Sequence, residues 1–380
     1  MKILFSSTAG LGHLLPLLPI AQAARNAGHQ VQVLTDAKHS ARLADLDLRH
    51  RLLDGPSDAD RDRVLRAADP ADVHAGPAQI FSRLNPVAGL PGTRSVFRDW
   101  RPDVVVSESA EFSAGLVAET EGVPMVRVHP GQAGLDVWER LVGPSLAEIR
   151  RDLGLDPDPE ARWLLDAPQV GYFPDEFDPS RPDAGSAVRV RSEPAVRPDP
   201  VRRELIYLTF GTEIVGMPFF PEVARAAGNA AQRTGLDVLF AVGDADPVVL
   251  EGLGAVRCER WVEQRAVLPT ARAVICHGGA GTTLGALAAG TPIVAVPWFA
   301  DQPFNADRIA ATRTGLAVPP GPELEARIGV ALDEVLAHEP SGCRPMAQAV
   351  RALPDLSAAL ALIESVAARR EVGLTATSAR

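Results

Sequence analysis

Residues 273–309, AVICHGGAGTTLGALAAGTPIVAVPWFADQPFNADRI, constrain this chain more than any other stretch. A short apolar run, Ala273 to Cys276, stops at His277 and a glycine cluster, as a buried strand does. Gly278, Gly279 and Gly281 precede Thr282 and Thr283, and a small-residue run then ends at Gly290. That order reads as strand, tight turn and helix start. A helix start offers N–H groups with no partner and the positive end of the backbone dipole, so it suits a phosphate. Glycine lets a ligand approach the backbone closely, and threonine hydroxyls and a histidine add donors. The strand Ile293 to Val296 then leads to Asp301 and Gln302, a carboxylate and an amide suited to sugar hydroxyls beside a diphosphate.

HGGAGTT followed by GTPIVAVPWFADQPFNADRI resembles the donor-binding signature of nucleotide-sugar-dependent glycosyltransferases of the GT-B type, most closely the bacterial natural-product branch. The resemblance extends in weaker form over nearly the whole chain. It implies an α/β fold of two Rossmann-like parallel-sheet domains facing across a cleft.

Length alone points to two domains, since 380 residues exceed one ordinary core. A net charge of -10 argues against nucleic acid or an anionic membrane as the main partner. The positive residues are almost all Arg, with Lys only at Lys2 and Lys38, which reads as codon bias. Cys258, Cys276 and Cys343 are odd in number and lack metal-type spacing, so neither a disulfide framework nor a zinc site is expected. The apolar run LLPLLPI followed by AQAA imitates a signal peptide, but Gly10, Gly12, His13 and two prolines interrupt the region and Lys2 is its only basic residue. No uncharged apolar stretch reaches membrane-spanning length, and a cytoplasmic location is expected.

The chain opens with strand Ile3 to Ser7, a glycine loop, a helix from His13 to Ala27 closed by Gly28, and strand Val31 to Thr35. That is the start of a Rossmann-like sheet. A dinucleotide fingerprint on Gly10-Leu11-Gly12 with Asp36 is the first reading, but Leu15 holds the third glycine position and Pro16 follows it. His13 instead stands where ligands of such sheets bind, with an ordinary pKa near 6.5 and a helix start that disfavours the imidazolium. It is placed to act as a general base, or simply to close the loop. In the resembling family a GHLxP-like loop carries the histidine that deprotonates the acceptor, and Gly12-His13-Leu14-Leu15-Pro16 matches it here.

Between Leu46 and Arg101 periodicity weakens, and AGPAQIFSRLNPVAGLPG offers a variable acceptor wall with His74 and Phe81. Strand Val104 to Val106, helix Glu111 to Thr120 and strand Pro124 to Val128 follow. The family places an aspartate after the first of these strands to hold the histidine; the matching position here is Glu108, one methylene longer, with Glu111 as rival. Either carboxylate could fix the tautomer and stabilise the imidazolium, and either could instead cap the helix. Gly131 to Arg150, with Trp138, reads as a lid or acceptor helix, and Leu164 to Tyr172 as the last strand of a first domain spanning 1–190. The Pro- and Arg-rich residues 191–204 read as the linker.

From Leu205 the opening design repeats over 205–355: strand Leu205 to Phe210 ending at Gly211-Thr212, helix Phe219 to Thr234, then strands Val238 to Val242 and Val256 to Trp261. By resemblance Gly211 and Thr212 lie near the pyrophosphate, while Trp261, Val262 and Gln264 hold the base, the indole stacking on a pyrimidine. Plant-type members carry a ribose-binding glutamate eight residues after the histidine; here Gly285 stands there, which favours a dTDP-sugar over a UDP-sugar. Asp-x-Asp triplets at Asp45, Asp58, Asp60, Asp156 and Asp244 lie away from the glycine turn, so no metal or other cofactor is expected. The helical residues 356–370 return, by resemblance, to the first domain, and 371–380 read as a frayed tail.

Together these features point to an inverting, metal-independent hexosyltransferase that moves a sugar from a dTDP-sugar to a lipophilic small-molecule aglycone, with His13 as base and Glu108 behind it. His277, Gly278, Gly279, Gly281, Thr282 and Thr283 would hold the donor. A homodimer is compatible with this reading. The alternatives are a non-catalytic nucleotide-sugar-binding auxiliary protein and a sugar-nucleotide epimerase of the same architecture; a nicotinamide-dependent oxidoreductase is the weakest.

Overall fold

The computed structural model describes residues 1–67, 75–129, 135–179, 187–191, 204–245 and 252–377. They form two compact units, one of Met1–Tyr172, Ser180–Glu193 and Pro354–Arg380, the other of Phe173–Pro179 and Pro194–Leu353.

The first unit is built on a seven-stranded sheet. Its strands are β1 (Lys2–Ser6), β2 (Gln30–Thr35), β3 (His50–Leu52), β4 (Val104–Glu108), β5 (Met125–His129), β6 (Gln169–Gly171) and β7 (Ala187–Arg189). They pair only in parallel, in the order β3-β2-β1-β4-β5-β6-β7. Parallel strands covered by helices on both faces need apolar residues on both, which is why KILFS and VVVSE are nearly continuous hydrophobic runs. Leu4, Leu34 and Val105 pack with Phe97, Ala114 and Val117, while Phe112, Leu116, Val142, Leu146 and Leu164 form a neighbouring cluster.

The second unit has six parallel strands: β8 (Leu205–Thr209), β9 (Asp237–Ala241), β10 (Arg257–Glu259), β11 (Ala273–Cys276), β12 (Ile293–Ala295) and β13 (Gly315–Ala317), in the order β10-β9-β8-β11-β12-β13. Ile206, Leu208 and Phe210 bury into one core with Phe220, Phe240 and Ile328. Tyr207, Val274 and Cys276 face the opposite core with Leu287, Ile309 and Met346.

Both sheets reverse direction once, between β1 and β4 and between β8 and β11. Open parallel sheets bind ligands outside the carboxyl ends of their strands at such a reversal. The registers Ser6↔Ser107 and Cys276↔Thr209 bring the loops after each pair side by side. His13 and Glu108 share one reversal; Gly211 and His277 share the other.

Several elements differ from the sequence expectation. The helix expected from His13 is two, Leu11–Leu14 and Leu17–Asn26, because Pro16 cannot donate the backbone bond that would join them. The buried Tyr172 hydroxyl donates to the Pro16 carbonyl and fixes that break. Leu164 belongs to a helical turn, Arg162–Leu165, and the strand begins only at Gln169. Ala187–Arg189 adds a seventh strand inside the segment read as domain end. Phe173–Pro179 belongs to the second unit and not the first. The stacked rings of Phe173 and Phe177, 4.7 Å apart, sit in its core, and Arg308 donates to the carbonyls of Phe177 (2.6 Å) and Glu176 (3.0 Å). The linker expected at 191–204 lies, apart from Arg191 and Glu204, outside the described residues. The last helix runs Leu356–Thr377, so the residues expected to fray are helical as far as Thr377. Near its start the backbone N–H of Arg191 donates to Pro354, and farther along His29 Nε2 lies 3.0 Å from Glu364 Oε1, all within the first unit. Among the described residues no single helix is long and apolar enough to cross a membrane.

Candidate functional sites

In the first unit, His13 Nδ1 lies 2.8 Å from Glu108 Oε1. His13 keeps 31% side-chain exposure, whereas Glu108 is wholly buried. The carboxylate is aimed by its own turn: Oε1 also accepts from Ser109 Oγ (2.8 Å) and the Ala110 N–H (3.0 Å). Its Oε2 is buried without a hydrogen-bond partner. Gly10 makes room for the imidazole, since a Cβ there would come 2.6 Å from His13 Cδ2. The Ala9 carbonyl accepts from His39 Nε2 at 2.7 Å, which ties down the loop. Nδ1 is therefore the ring nitrogen that meets the carboxylate.

Glu111 does different work. Its carboxylate accepts from Ser113 N–H (2.8 Å) and Ser113 Oγ, capping the helix Ser113–Thr120. Burial pushes its carboxyl up from the ordinary range, and the bond from Ser113 pulls it partly back. Glu108, not Glu111, therefore stands against the imidazole. Phe81 lies 5.5 Å from the His13 ring, centroid to centroid, and 5.8 Å from the Trp138 ring in an edge-on arrangement. Phe81 is carried by a π-helical turn, Ile80–Leu84, inserted between the helices Ala75–Gln79 and Asn85–Trp100. Such turns are rare and concentrate at functional sites. His74 lies outside the described residues.

In the second unit the glycine turn after β11 leads into helix Ala280–Ala289. The helix start leaves the N–H groups of Gly281 and Thr282 without partners inside the helix. The Ala280 N–H is taken by Asp301 Oδ2 at 3.2 Å. Thr282 and Thr283 are buried, and Thr283 Oγ1 has no partner. Gly278 adopts φ +81°, which favours glycine, and Gly279 abuts His277 so closely that a Cβ would stand 2.2 Å from Nε2. Gly211 borders the same ring, at 2.9 Å from Cε1 for an added Cβ. Burial pushes the His277 pKa down to about 4, against a weaker pull from the Thr209 backbone, so the imidazole is neutral at pH 7. A neutral imidazole, two threonines and backbone amides make a cradle with donors and no fixed cation.

Asp301 braces this turn, whereas the Gln302 side chain braces the loop after β12. Asp301 Oδ2 also accepts from Asn305 Nδ2 at 2.8 Å. Gln302, 4% exposed, accepts from the N–H groups of Trp298 (2.9 Å) and Phe299 (3.3 Å). Sequence reasoning missed Asn305, whose Nδ2 also donates to the Gly278 carbonyl at 2.8 Å. The signal was its place four residues after Asp301 on one helix face. Trp261 is 57% exposed, whereas Val262 packs partly buried against the Tyr207 face. Thr212 is exposed, with Oγ1 3.5 Å from Glu213 Oε1, and Gln264 begins the helical turn Gln264–Val267. A Cβ at Gly285 would meet only Leu268 Cδ1, the movable end of a side chain, at 2.9 Å. Among the described residues no three His, Cys, Asp or Glu side chains gather as a metal site requires.

The chain is 32% identical over 382 residues to the elloramycin glycosyltransferase ElmGT of Streptomyces olivaceus, covering 93% of this chain and 94% of that one. It belongs to the natural-product glycosyltransferases. The L-demethylnoviosyl transferase of Streptomyces niveus is 29% identical, covering 90% of this chain and 91% of its own length. Residues 243–355 of the glycosyltransferase match the erythromycin biosynthesis protein CIII-like C-terminal domain. The crystal structure of the calicheamicin glycosyltransferase CalG4 superposes with a TM-score of 0.79 at 23% identity, covering 97% of this chain and 98% of that one. Glycosyltransferase SsfS6 of Streptomyces sp. SF2575, solved with thymidine diphosphate, superposes at 0.74 and 23% identity, covering 96% and 99%. The fold of this glycosyltransferase is GT-B.

Proposed function

We propose that this glycosyltransferase moves a hexose or deoxyhexose from a dTDP-sugar to a small natural-product aglycone with inversion at the anomeric carbon. The observation that carries this reading is the His13–Glu108 contact of 2.8 Å at the strand-order reversal of the first unit. His13 Nε2 takes the proton of the acceptor hydroxyl as its oxygen forms the bond to the anomeric carbon. The bond from that carbon to the diphosphate oxygen breaks on the opposite side, and thymidine diphosphate leaves. One displacement without a protein nucleophile inverts the centre. Glu108 holds Nδ1 and stabilises the imidazolium as it forms.

The diphosphate is assigned to the turn from His277 to Thr283, where the helix dipole and neutral donors meet its growing charge. Trp261, Val262 and Gln264 are assigned to the thymine, Gly211 and Thr212 to the pyrophosphate, and Asp301 and Gln302 to the sugar hydroxyls. Gly285 supplies no carboxylate for a ribose 2′-hydroxyl, and the thymidine diphosphate complex of SsfS6 supports a dTDP-linked donor. Phe81 and Trp138 form the acceptor wall. The alternative of a non-catalytic auxiliary leaves the orienting carboxylate without a task. Mass spectrometry of the protein with a panel of dTDP- and UDP-sugars and an aglycone library tests the proposal. A new mass equal to aglycone plus sugar supports it; donor binding with no transfer to any acceptor points to the auxiliary, and donor isomerised without acceptor points to the epimerase.

A further inference from the structure

We propose that Asn305 is a positioning residue of the donor site, whose side chain couples the turn assigned to the diphosphate to the carboxylate assigned to the sugar. This rests on the transferase reading above and adds a residue that acts through others.

Asn305 is wholly buried on the first turn of the helix Gln302–Ala311. Its Nδ2 donates to the Gly278 carbonyl and to Asp301 Oδ2, each at 2.8 Å. Both partners are acceptors, so the nitrogen of the amide, and not its oxygen, must face them. An amide nitrogen carries two N–H groups, and these two bonds use both. Oδ1 is buried with no partner. An unsatisfied buried oxygen costs stability, so what this side chain contributes here lies in its two donors.

The two bonds are part of a closed ring. Asp301 Oδ2 accepts from Asn305 Nδ2 and also from the Ala280 N–H, so the path runs from Gly278 through Asn305 and Asp301 to Ala280 and returns along the backbone through Gly279. The turn lies directly on the helix start, since a Cβ at Gly278 would stand 3.2 Å from the Gln302 carbonyl oxygen. Holding the Gly278 carbonyl fixes the plane of its peptide and with it the direction of the Gly279 N–H, because the two groups point opposite ways across a trans bond. A shift of the turn therefore pulls on Asp301, and a shift of Asp301 toward a sugar hydroxyl pulls on the turn. Without Asn305 only the Ala280 bond would link the carboxylate to the turn.

The test is calorimetric binding of dTDP and of dTDP-glucose to wild type, Asn305→Leu, Asn305→Ala, Asp301→Ala and the double variant Asn305→Leu with Asp301→Ala, each checked for folding by thermal melting. Both Asn305 variants should bind dTDP about tenfold more weakly. The ratio of dTDP-glucose affinity to dTDP affinity should also fall in both, by as much as in Asp301→Ala, and the double variant should lower it no further, because Asn305 reaches the sugar through Asp301 alone. General loosening of the domain would weaken both ligands equally and leave the ratio unchanged. Unchanged dTDP affinity, an unchanged ratio, a further fall in the double variant, loss of folding in both Asn305 variants or no binding of dTDP by wild type would overturn the proposal. Transfer is followed separately by mass spectrometry: the expected binding pattern without sugar transfer to any acceptor would leave Asn305 in this role and remove the transferase reading.

Discussion

Replacing Glu108 by Gln tests the proposed division of labour most directly, because it removes one charge and keeps the shape. A general base must start neutral, and with a neutral imidazole the contact is a modest one. On the proposed mechanism the imidazole gains a proton in the transition state, and a positive charge then forms 2.8 Å from a buried carboxylate oxygen. Opposite unit charges at that distance attract by roughly 6 kcal/mol at an effective dielectric of about 20. His13 retains 31% side-chain exposure, so solvent screening reduces this to roughly 2–4 kcal/mol. At 1.36 kcal/mol per decade, kcat should fall by about 30- to 1000-fold. The fold should persist, since the amide oxygen can still accept from Ser109 Oγ and the Ala110 N–H, although the amide N–H groups take the place of the partnerless Oε2 at a cost of about 1–3 kcal/mol. Steady-state kinetics at saturating donor and acceptor, with thermal melting alongside, reads both quantities. A Glu108→Gln enzyme with the wild-type melting temperature and kcat within threefold of wild type would refute the reasoning.

Four further outcomes are expected. His13→Ala should abolish transfer while leaving the calorimetric affinity for dTDP unchanged, and near-normal turnover would remove His13 as the base. Gly279→Ala has a permitted φ of -64°, so it tests space alone: a Cβ 2.2 Å from His277 Nε2 must displace the imidazole, and dTDP affinity should drop at least about tenfold. Unchanged affinity would mean that the His277 ring takes no part in holding the diphosphate. Matched dTDP and UDP donors should differ in kcat/KM in favour of dTDP, and a clear UDP preference would end the inference drawn from Gly285. For pH, His277 titrates at about 4 in the folded protein and near 6.5 when unfolded, so between those values the unfolded chain binds more protons and stability falls as pH falls. His277→Asn should therefore gain melting temperature relative to wild type between pH 7 and pH 5; a constant difference would contradict the burial of a neutral ring.

The two sheets and the glycine turn were legible because buried parallel strands are nearly unbroken apolar runs closed by glycine, and a phosphate-binding turn needs several glycines in fixed order. The pairing of His13 with Glu108 was legible only through motif matching; choosing between Glu108 and Glu111 required coordinates. Both are buried acids three residues apart, and what separates them is that Ser113 occupies one while the β1–β4 register presents the other to the imidazole. Strand β7 escaped notice because three residues at a sheet edge carry no periodicity. Phe173 and Phe177 sit in the second unit with their rings stacked and with two bonds from Arg308, more than a hundred residues away, that no local pattern encodes. Asn305 was in plain view within the motif but reads as an ordinary helix residue until Gly278 is seen beside it.

The ring at residue 81 joins two properties that enzyme engineers usually vary one at a time. Because Phe81 leans on the imidazole, resizing it in the hope of admitting a bulkier aglycone would also alter the packing and hydration of the proposed proton acceptor. Libraries built at this turn to broaden scope should be screened across a pH range, since an improved variant can have its best rate displaced from the condition at which the parent was assayed.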